Sequence, residues 1–145
     1  EKLFFKNNIF STIIDGDTVR SGLCSNLGFS QEDRKENLRR VAEVAKLFTE
    51  NGIVTICCFI SPLSSQREMI KSICGDDFKL IYIKTDLKAC EERDPKGLYK
   101  KARNGEIKNF TGIDSPYETP NNPNLRVNTE KESVNESVNK MLMYS

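Results

Sequence analysis

The sequence has no histidine at all. That excludes histidine-based nucleophilic triads and histidine-ligated metal centres. It has five cysteines, Cys24, Cys57, Cys58, Cys74 and Cys90, and none has the paired spacing of a metal knuckle. Cys57 and Cys58 sit inside an apolar run and read as core. This cysteine usage fits a reduced, intracellular, cytoplasmic protein, with organelle targeting left open. Charge of one sign is also missing. Twenty-two Lys and Arg against 21 Asp and Glu leave a net charge of +1, so bulk charge implies no nucleic acid and no membrane surface. No apolar run approaches the roughly 20 residues that cross a bilayer. What remains is a chain of 145 residues, 37% hydrophobic and 30% charged. That is one domain of an ordinary α/β kind.

The stretch Ile13-Ile14-Asp15-Gly16-Asp17-Thr18-Val19-Arg20 organises the rest. Two β-branched apolar residues run into alternating acids and then an arginine. The pattern predicts a strand over 9–14 that ends at a turn carrying charge at its C-terminal edge. In open α/β sheets ligands gather at that edge. Asp15 and Asp17 can hold a metal ion, or one of them can orient a hydroxyl nucleophile. Arg20 can clamp a phosphate or sulfate with its planar fork. The alternative is a solvated turn.

Residues 1–5 read as the last turn of a helix, and Ser21 to Phe29 as a loop. Ser30 is a good N-cap, with Asp33 three residues on as a capping box. Leu38, Val41, Ala45 and Phe48 repeat at helical spacing until Gly52. Arg34 lies on that stripe beside Asn37, where a polar helix N-terminus favours anions. The near-continuous apolar run Ile53 to Ile60 predicts a strand covered on both faces, as in a parallel sheet. It breaks at Ser61-Pro62, again at a strand's C-terminal edge. A helix over about 65–74, a strand over 78–84, a short helix from Asp86 to Arg93, a strand around Val127 and a closing helix over 130–143 complete a doubly wound alternation. Residues 93–110 break that rhythm. Arg93, Lys96, Lys100, Lys101, Arg103 and Lys108 face only Asp94 and Glu106, which reads either as a solvated surface helix or as a basic lid over phosphates. Pro116, Pro120 and Pro123 mark a long ordered loop. Taken by periodicity alone, Phe29 and Phe110 read as core.

Together these residues resemble the adenylylsulfate kinase (APS kinase) family. Asp15-Gly16-Asp17-Thr18-Val19-Arg20 is similar to its D-G-D-N-[VI]-R. Leu27-Gly28-Phe29-Ser30, Asp33-Arg34, Glu36-Asn37 and Arg39-Arg40 resemble its L-G-F-S…D-R-x-E-N-[IL]-R-R. Val44 to Phe48 and Phe59-Ile60-Ser61-Pro62 continue the match, and the longest piece is CEERDPKGLYKKARNGEIKNFTGIDSPY over 90–117. The resemblance spans about 10–130.

It implies a P-loop-kinase-type parallel sheet with helices on both faces and a basic lid at about 93–112, in one domain over 1–145. The implied reaction moves the γ-phosphate of ATP to the 3′-hydroxyl of adenosine 5′-phosphosulfate (APS), giving PAPS and ADP with Mg²⁺. Asp17 would orient or deprotonate the hydroxyl, and with Asp15 would shape the Mg²⁺ site, in part through water. Arg20, Arg34 and Asn37 would hold the phosphosulfate and ribose. Phe29 and Phe110 would sandwich the adenine. Ile60 and Ser61 would line the APS pocket, and Lys96 and Asn109 would complete it from the lid. Lys101 and Arg103 would face polyphosphate or solvent, and 120–129 would lie near the ATP base. A homodimer and a fused or partner ATP sulfurylase are further family expectations.

The chain departs from the family at Thr18, Ser21, Cys24, Asn26 and Ser64, where Asn, His, Asn, Asp and Arg are usual. More importantly, no G-x-x-x-x-G-K-[ST] occurs in it. That loop cradles nucleotide phosphates with backbone N–H groups. The expectation is therefore that the natural protein carries the loop and the first strand before Glu1, and that the chain shown lacks both. The alternative is a pseudokinase or regulatory module that binds APS or PAPS without transferring phosphate.

Overall fold

The computed structural model describes residues 1–144, which separate into two compact units, Glu1–Phe78 and the remainder from Lys79. The first unit runs α1 (Lys2–Lys6), β1 (Ser11–Asp15), α2 (Gly16–Ser21), α3 (Gln31–Glu50), β2 (Val54–Cys58) and α4 (Ser64–Cys74), closed by a 3-10 turn at Gly75–Asp77. β1 and β2 pair in parallel, with Ser11 opposite Val54 and Asp15 opposite Cys58. That register brings the C-terminal ends of both strands to one edge, where β1 leads into Asp17 and β2 into Ile60 and Ser61. The 20-residue helix α3 makes the crossover between them, as a parallel pair requires. Its start is fixed by Ser30, whose hydroxyl accepts the Asp33 amide at 3.0 Å.

A small core holds this edge in place. Val19 of α2, Cys24 of the following loop and Val41 of α3 are buried together, with Ile14, Leu27 and Phe59 packed on them. Cys24, one of the departures from the family pattern, is fully enclosed, where a small thiol behaves as an apolar group. Leu38, Val41 and Ala45 are buried as the helical stripe predicts, whereas Phe48 lies at the exposed margin.

The second unit runs β3 (Ile81–Lys84), α5 (Leu87–Arg93), α6 (Leu98–Arg103), β4 (Leu125–Asn128) and α7 (Val134–Leu142). β3 and β4 are again parallel, Ile81 opposite Leu125 and Lys84 opposite Asn128. α7 opens with a full capping box, Ser133 and Glu136 bonding to each other's amides. Among the described residues no helix is long and apolar enough to cross a membrane.

Four expectations need correction. The first strand starts at Ser11 rather than Ile9. The turn expected after Asp15 is the helix α2, because the Asp15 carboxylate caps it. The closing helix starts at Val134, at the Ser133 cap. Cys57 and Cys58 are exposed rather than core: cover over β2 extends from Val54 to Ile56, which are half-buried, and ends before the C-terminal edge where the two cysteines lie.

Candidate functional site

Asp15 ends β1 and begins α2. Its Oδ1 accepts the amides of Asp17 at 3.0 Å and Thr18 at 3.1 Å. Its Oδ2 accepts the Thr18 hydroxyl at 2.6 Å. This is a side-chain N-cap, and it satisfies two amides that no helical carbonyl can reach. Thr18 therefore has a local function that an alanine would not supply: its hydroxyl locks the cap. Asp17 falls in the first turn of α2 and is exposed at the edge of the sheet. A carboxylate is electrostatically welcome at a helix start. Sequence pattern treats the two acids alike, but the fold gives Asp15 to the backbone and turns Asp17 to the surface.

Arg20, one turn on, reaches the loop before α3. Its Nη1 donates to the carbonyl of Gly28 at 2.9 Å and, more weakly, to Leu27 at 3.4 Å. Its guanidinium carbon lies 4.2 Å from the centroid of the Phe29 ring, within cation–π range. Arg34 approaches from α3. Its Nε donates to the Phe29 carbonyl at 3.0 Å and its guanidinium carbon is 5.9 Å from the same ring. Phe29 is therefore not core: it is 64% exposed, with two arginines converging on it. A flat aromatic face next to two planar cations suits a ligand that joins a base to an anion.

Asn37, one turn beyond Arg34 on α3, is 3% exposed, and its Nδ2 has no hydrogen-bond partner. An unpaired buried donor costs about 1–3 kcal/mol, so such groups call for an explanation. An acceptor supplied by a ligand is one. Ile60 and Ser61 follow β2. Ile60 is exposed, and the Ser61 carbonyl is held by Nη1 of the buried Arg67 at 2.7 Å. Arg67 also donates to the Ser64 hydroxyl at 3.1 Å. Phe59 comes within 3.8 Å of the position a Cβ would take at Gly16, so the two strand ends touch. The first unit thus brings together Asp15, Asp17, Arg20, Phe29, Arg34 and Asn37, with Ile60 and Ser61 at the neighbouring strand end.

The loop between α2 and α3 is tied down by residues that the sequence does not single out as structural. Arg40 donates to the Leu23 carbonyl at 2.9 Å, to Asn26 Oδ1 at 2.8 Å and to Glu36 at 2.9 Å. Asn26, where the family usually has Asp, is thus a neutral acceptor for an arginine. Glu36 is shared between Arg39 and Arg40. Hydrogen bonds from these two guanidiniums pull its pKa down from 4.5 to about 2. The folded pKa is the lower one, so the contribution of Glu36 to stability is fully present above 4.5 and disappears as pH falls toward 2. The difference in urea-unfolding midpoint between the protein and Glu36→Gln should therefore be constant at neutral pH and shrink through that acid window. A difference independent of pH would mean that the ionised carboxylate does not brace the loop.

In the second unit, Lys96 lies in the exposed turn between α5 and α6. Asp94 caps α6, accepting the amides of Tyr99 at 3.1 Å and Lys100 at 3.0 Å. Some desolvation pushes its pKa up, but the amides of Lys100, Tyr99 and Leu98 outweigh it and hold the carboxyl below its usual value. Lys101 is exposed on α6. Arg103 faces Glu91, with contacts of 2.5 and 3.1 Å, so its guanidinium is occupied by a carboxylate. Arg93 binds Thr129 through its hydroxyl at 2.8 Å and its carbonyl at 3.0 Å. Phe110 is half-buried rather than core and stands edge-on to Tyr99, 5.0 Å between centroids. Asn109 adopts φ +57°. Tyr99 and Asp114 are the residues here that sequence reasoning passes over. An Asp four residues after Asn-Phe is the signal that points to a side-chain-closed turn.

The family description Adenylylsulphate kinase matches residues 1–128. An adenylyl-sulfate kinase of Clostridium kluyveri is 57% identical over 90% of this chain and 65% of its own length. One of Staphylococcus carnosus is 52% identical over 99% of this chain and 73% of its own length. The chain thus spans about two thirds to three quarters of these relatives. A solved structure of a Mycobacterium tuberculosis APS kinase, in complex with AMPPNP and APS, superposes with TM-score 0.96 at 43% identity, over 99% of this chain and 84% of that one. The chain belongs to the adenylylsulphate kinase family.

Proposed function

We propose that this chain performs the phosphoryl transfer for which its relatives are named, from ATP to the 3′-hydroxyl of APS, giving PAPS and ADP. The observation that carries the reading is the group formed by Arg20, Phe29, Arg34 and Asn37. Two guanidiniums flank an exposed ring, and beside them is a buried amide donor that lacks an acceptor. APS offers an anionic phosphosulfate suited to the arginines, a purine suited to the ring and an acceptor oxygen for the Asn37 amide. Ile60 and Ser61 line the same end. Within the second unit, Phe110 offers a ring suited to a purine, and Lys96, Asn109 and Lys101 offer donors suited to phosphate. Arg103 must leave Glu91 before it can do the same.

Phosphoryl transfer asks the protein mainly for positioning and for neutralisation of charge. Asp17 orients the hydroxyl and accepts its proton. Mg²⁺ is suited to the same carboxylate, with Asp15 reached through water, because the Asp15 oxygens already serve the α2 cap. Bound there, the ion would offset polyphosphate charge. A reading in which APS is held without transfer is not favoured, given relatives that are named kinases.

The test is APS-dependent ADP release in a coupled assay. It is run on the chain alone and on the chain joined to the N-terminal segment of the Clostridium kluyveri relative, since no G-x-x-x-x-G-K-[ST] lies in these residues. ADP release by the joined protein that depends on APS is expected. A folded joined protein that binds APS calorimetrically and releases no ADP would sink the transfer reading. Failure to bind APS would sink the site as well.

A further inference from the structure

The segment 109–115 is closed on itself by one side chain. The Asp114 carboxylate accepts the Asn109 amide with Oδ2 at 2.7 Å and the Phe110 amide with Oδ1. On the other side, the Phe110 carbonyl accepts the amides of Ile113, Asp114 and Ser115 at 3.1–3.2 Å. The peptide unit of Phe110 is thus gripped at both its donor and its acceptor. Asn109 sits at φ +57°, in the left-handed region that asparagine tolerates better than other side-chain-bearing residues. The ring of Phe110 meets Tyr99 edge-on at 71°, and the Tyr99 amide is itself bound by Asp94. Two aspartates, each accepting two amides, therefore fix Phe110 and the aromatic neighbour against which it stands.

We infer that Asp114 is a positioning residue for substrate recognition: its carboxylate sets the left-handed turn at Asn109 and so aims the Phe110 ring that stacks on the adenine of APS. This rests on the function proposed above. The chemistry singles out a carboxylate. Two successive amides need two acceptors at a fixed spacing, and a carboxylate supplies two equivalent oxygens. An asparagine supplies one oxygen and sets an N–H₂ against the second amide. A glutamate keeps both oxygens, displaced by one methylene.

The experiment is calorimetric titration of APS into the protein and into Asp114→Asn, Asp114→Glu, Phe110→Ala and the double variant Asp114→Asn/Phe110→Ala. All titrations are run well below the unfolding midpoint of each. Asp114→Asn is expected to weaken APS binding by about 5- to 30-fold, a part of what complete loss of the Phe110 stack would cost. Asp114→Glu should recover part of that loss. In the Phe110→Ala background, Asp114→Asn should add little or nothing, because a residue that acts through a ring has no effect once the ring is gone. If Asp114→Asn proves unfolded, Asp114→Glu in the two backgrounds carries the same comparison. Unchanged APS affinity in the Asp114 variants, or an effect equally large with and without Phe110, overturns the inference and leaves the proposed function standing. Absence of APS binding by the unaltered protein overturns that function first, and this inference with it.

Discussion

Asp17→Asn is expected to keep APS affinity and to lose turnover by about 10²-fold or more. The backbone of residue 17 is held by Asp15 through its amide, so the substitution leaves the local fold intact. Asparagine preserves the size of the side chain and can still accept a hydrogen bond. It cannot take a proton from the 3′-hydroxyl, and it brings no negative charge to a cation. The loss should therefore fall on kcat, with KM for APS little changed. Asp15→Ala is the informative contrast. Removing an N-cap aspartate costs about 0.5–2 kcal/mol and lets the start of α2 fray, so stability and activity should decline together. Steady-state kinetics of the joined protein, with thermal unfolding of each variant, separates the two. Near-normal kcat in Asp17→Asn would remove Asp17 from the chemical step.

Phe110→Ala and Phe29→Ala should each weaken APS by about 5- to 150-fold, on the scale of roughly 1–3 kcal/mol for stacking a base on an aromatic ring. Affinity for an ATP analogue in the joined protein should stay nearly unchanged. The two substitutions differ in what else they disturb. Phe29 is also the platform for Arg20 at 4.2 Å, so Phe29→Ala removes that cation–π contact as well. Phe110→Ala removes the edge contact with Tyr99. If ATP-analogue affinity falls in parallel with that of APS, these rings belong to the other nucleotide or to the core.

Elements whose two ends are both marked by local chemistry are the legible ones. α3 is readable from the Ser30 cap, the Leu38, Val41 and Ala45 stripe and the Gly52 stop, and it occurs at Gln31–Glu50. β3 is readable from its β-branched and aromatic residues, and β4 from the alternation of Leu125 and Val127 with Arg126 and Asn128. α2 is not readable as a helix, since a six-residue turn has too few positions to show a period. Its one sequence signal is the cap itself, an aspartate three residues before a hydroxyl side chain. Exposure is the hardest property to read. Phe29 and Cys57 are apolar by composition, yet one carries two arginines at the surface and the other lies at the exposed end of β2. A residue's hydrophobicity says what it would prefer, whereas its exposure depends on which neighbours the fold brings. The site residues came into view through extended resemblance. Arg40, Arg67 and Tyr99, which brace the surrounding loops through backbone carbonyls, neighbouring side chains and a ring edge, leave little pattern of their own.

Both strand pairs are parallel, and in each the partners lie on opposite sides of intervening helices. No hairpin can seed either sheet. Every ladder bond must wait until a long loop has closed, and the entropy of that closure is lost before any pairing rewards it. Folding of these residues should therefore be slow, with helices such as α3 forming well ahead of the strands. Until the strands meet, β2 and β3 present bare amides and carbonyls next to apolar side chains, which invite pairing between molecules. Refolding yield should accordingly fall as protein concentration rises, and a ligand that binds at the strand ends should act as a folding aid as well as a substrate.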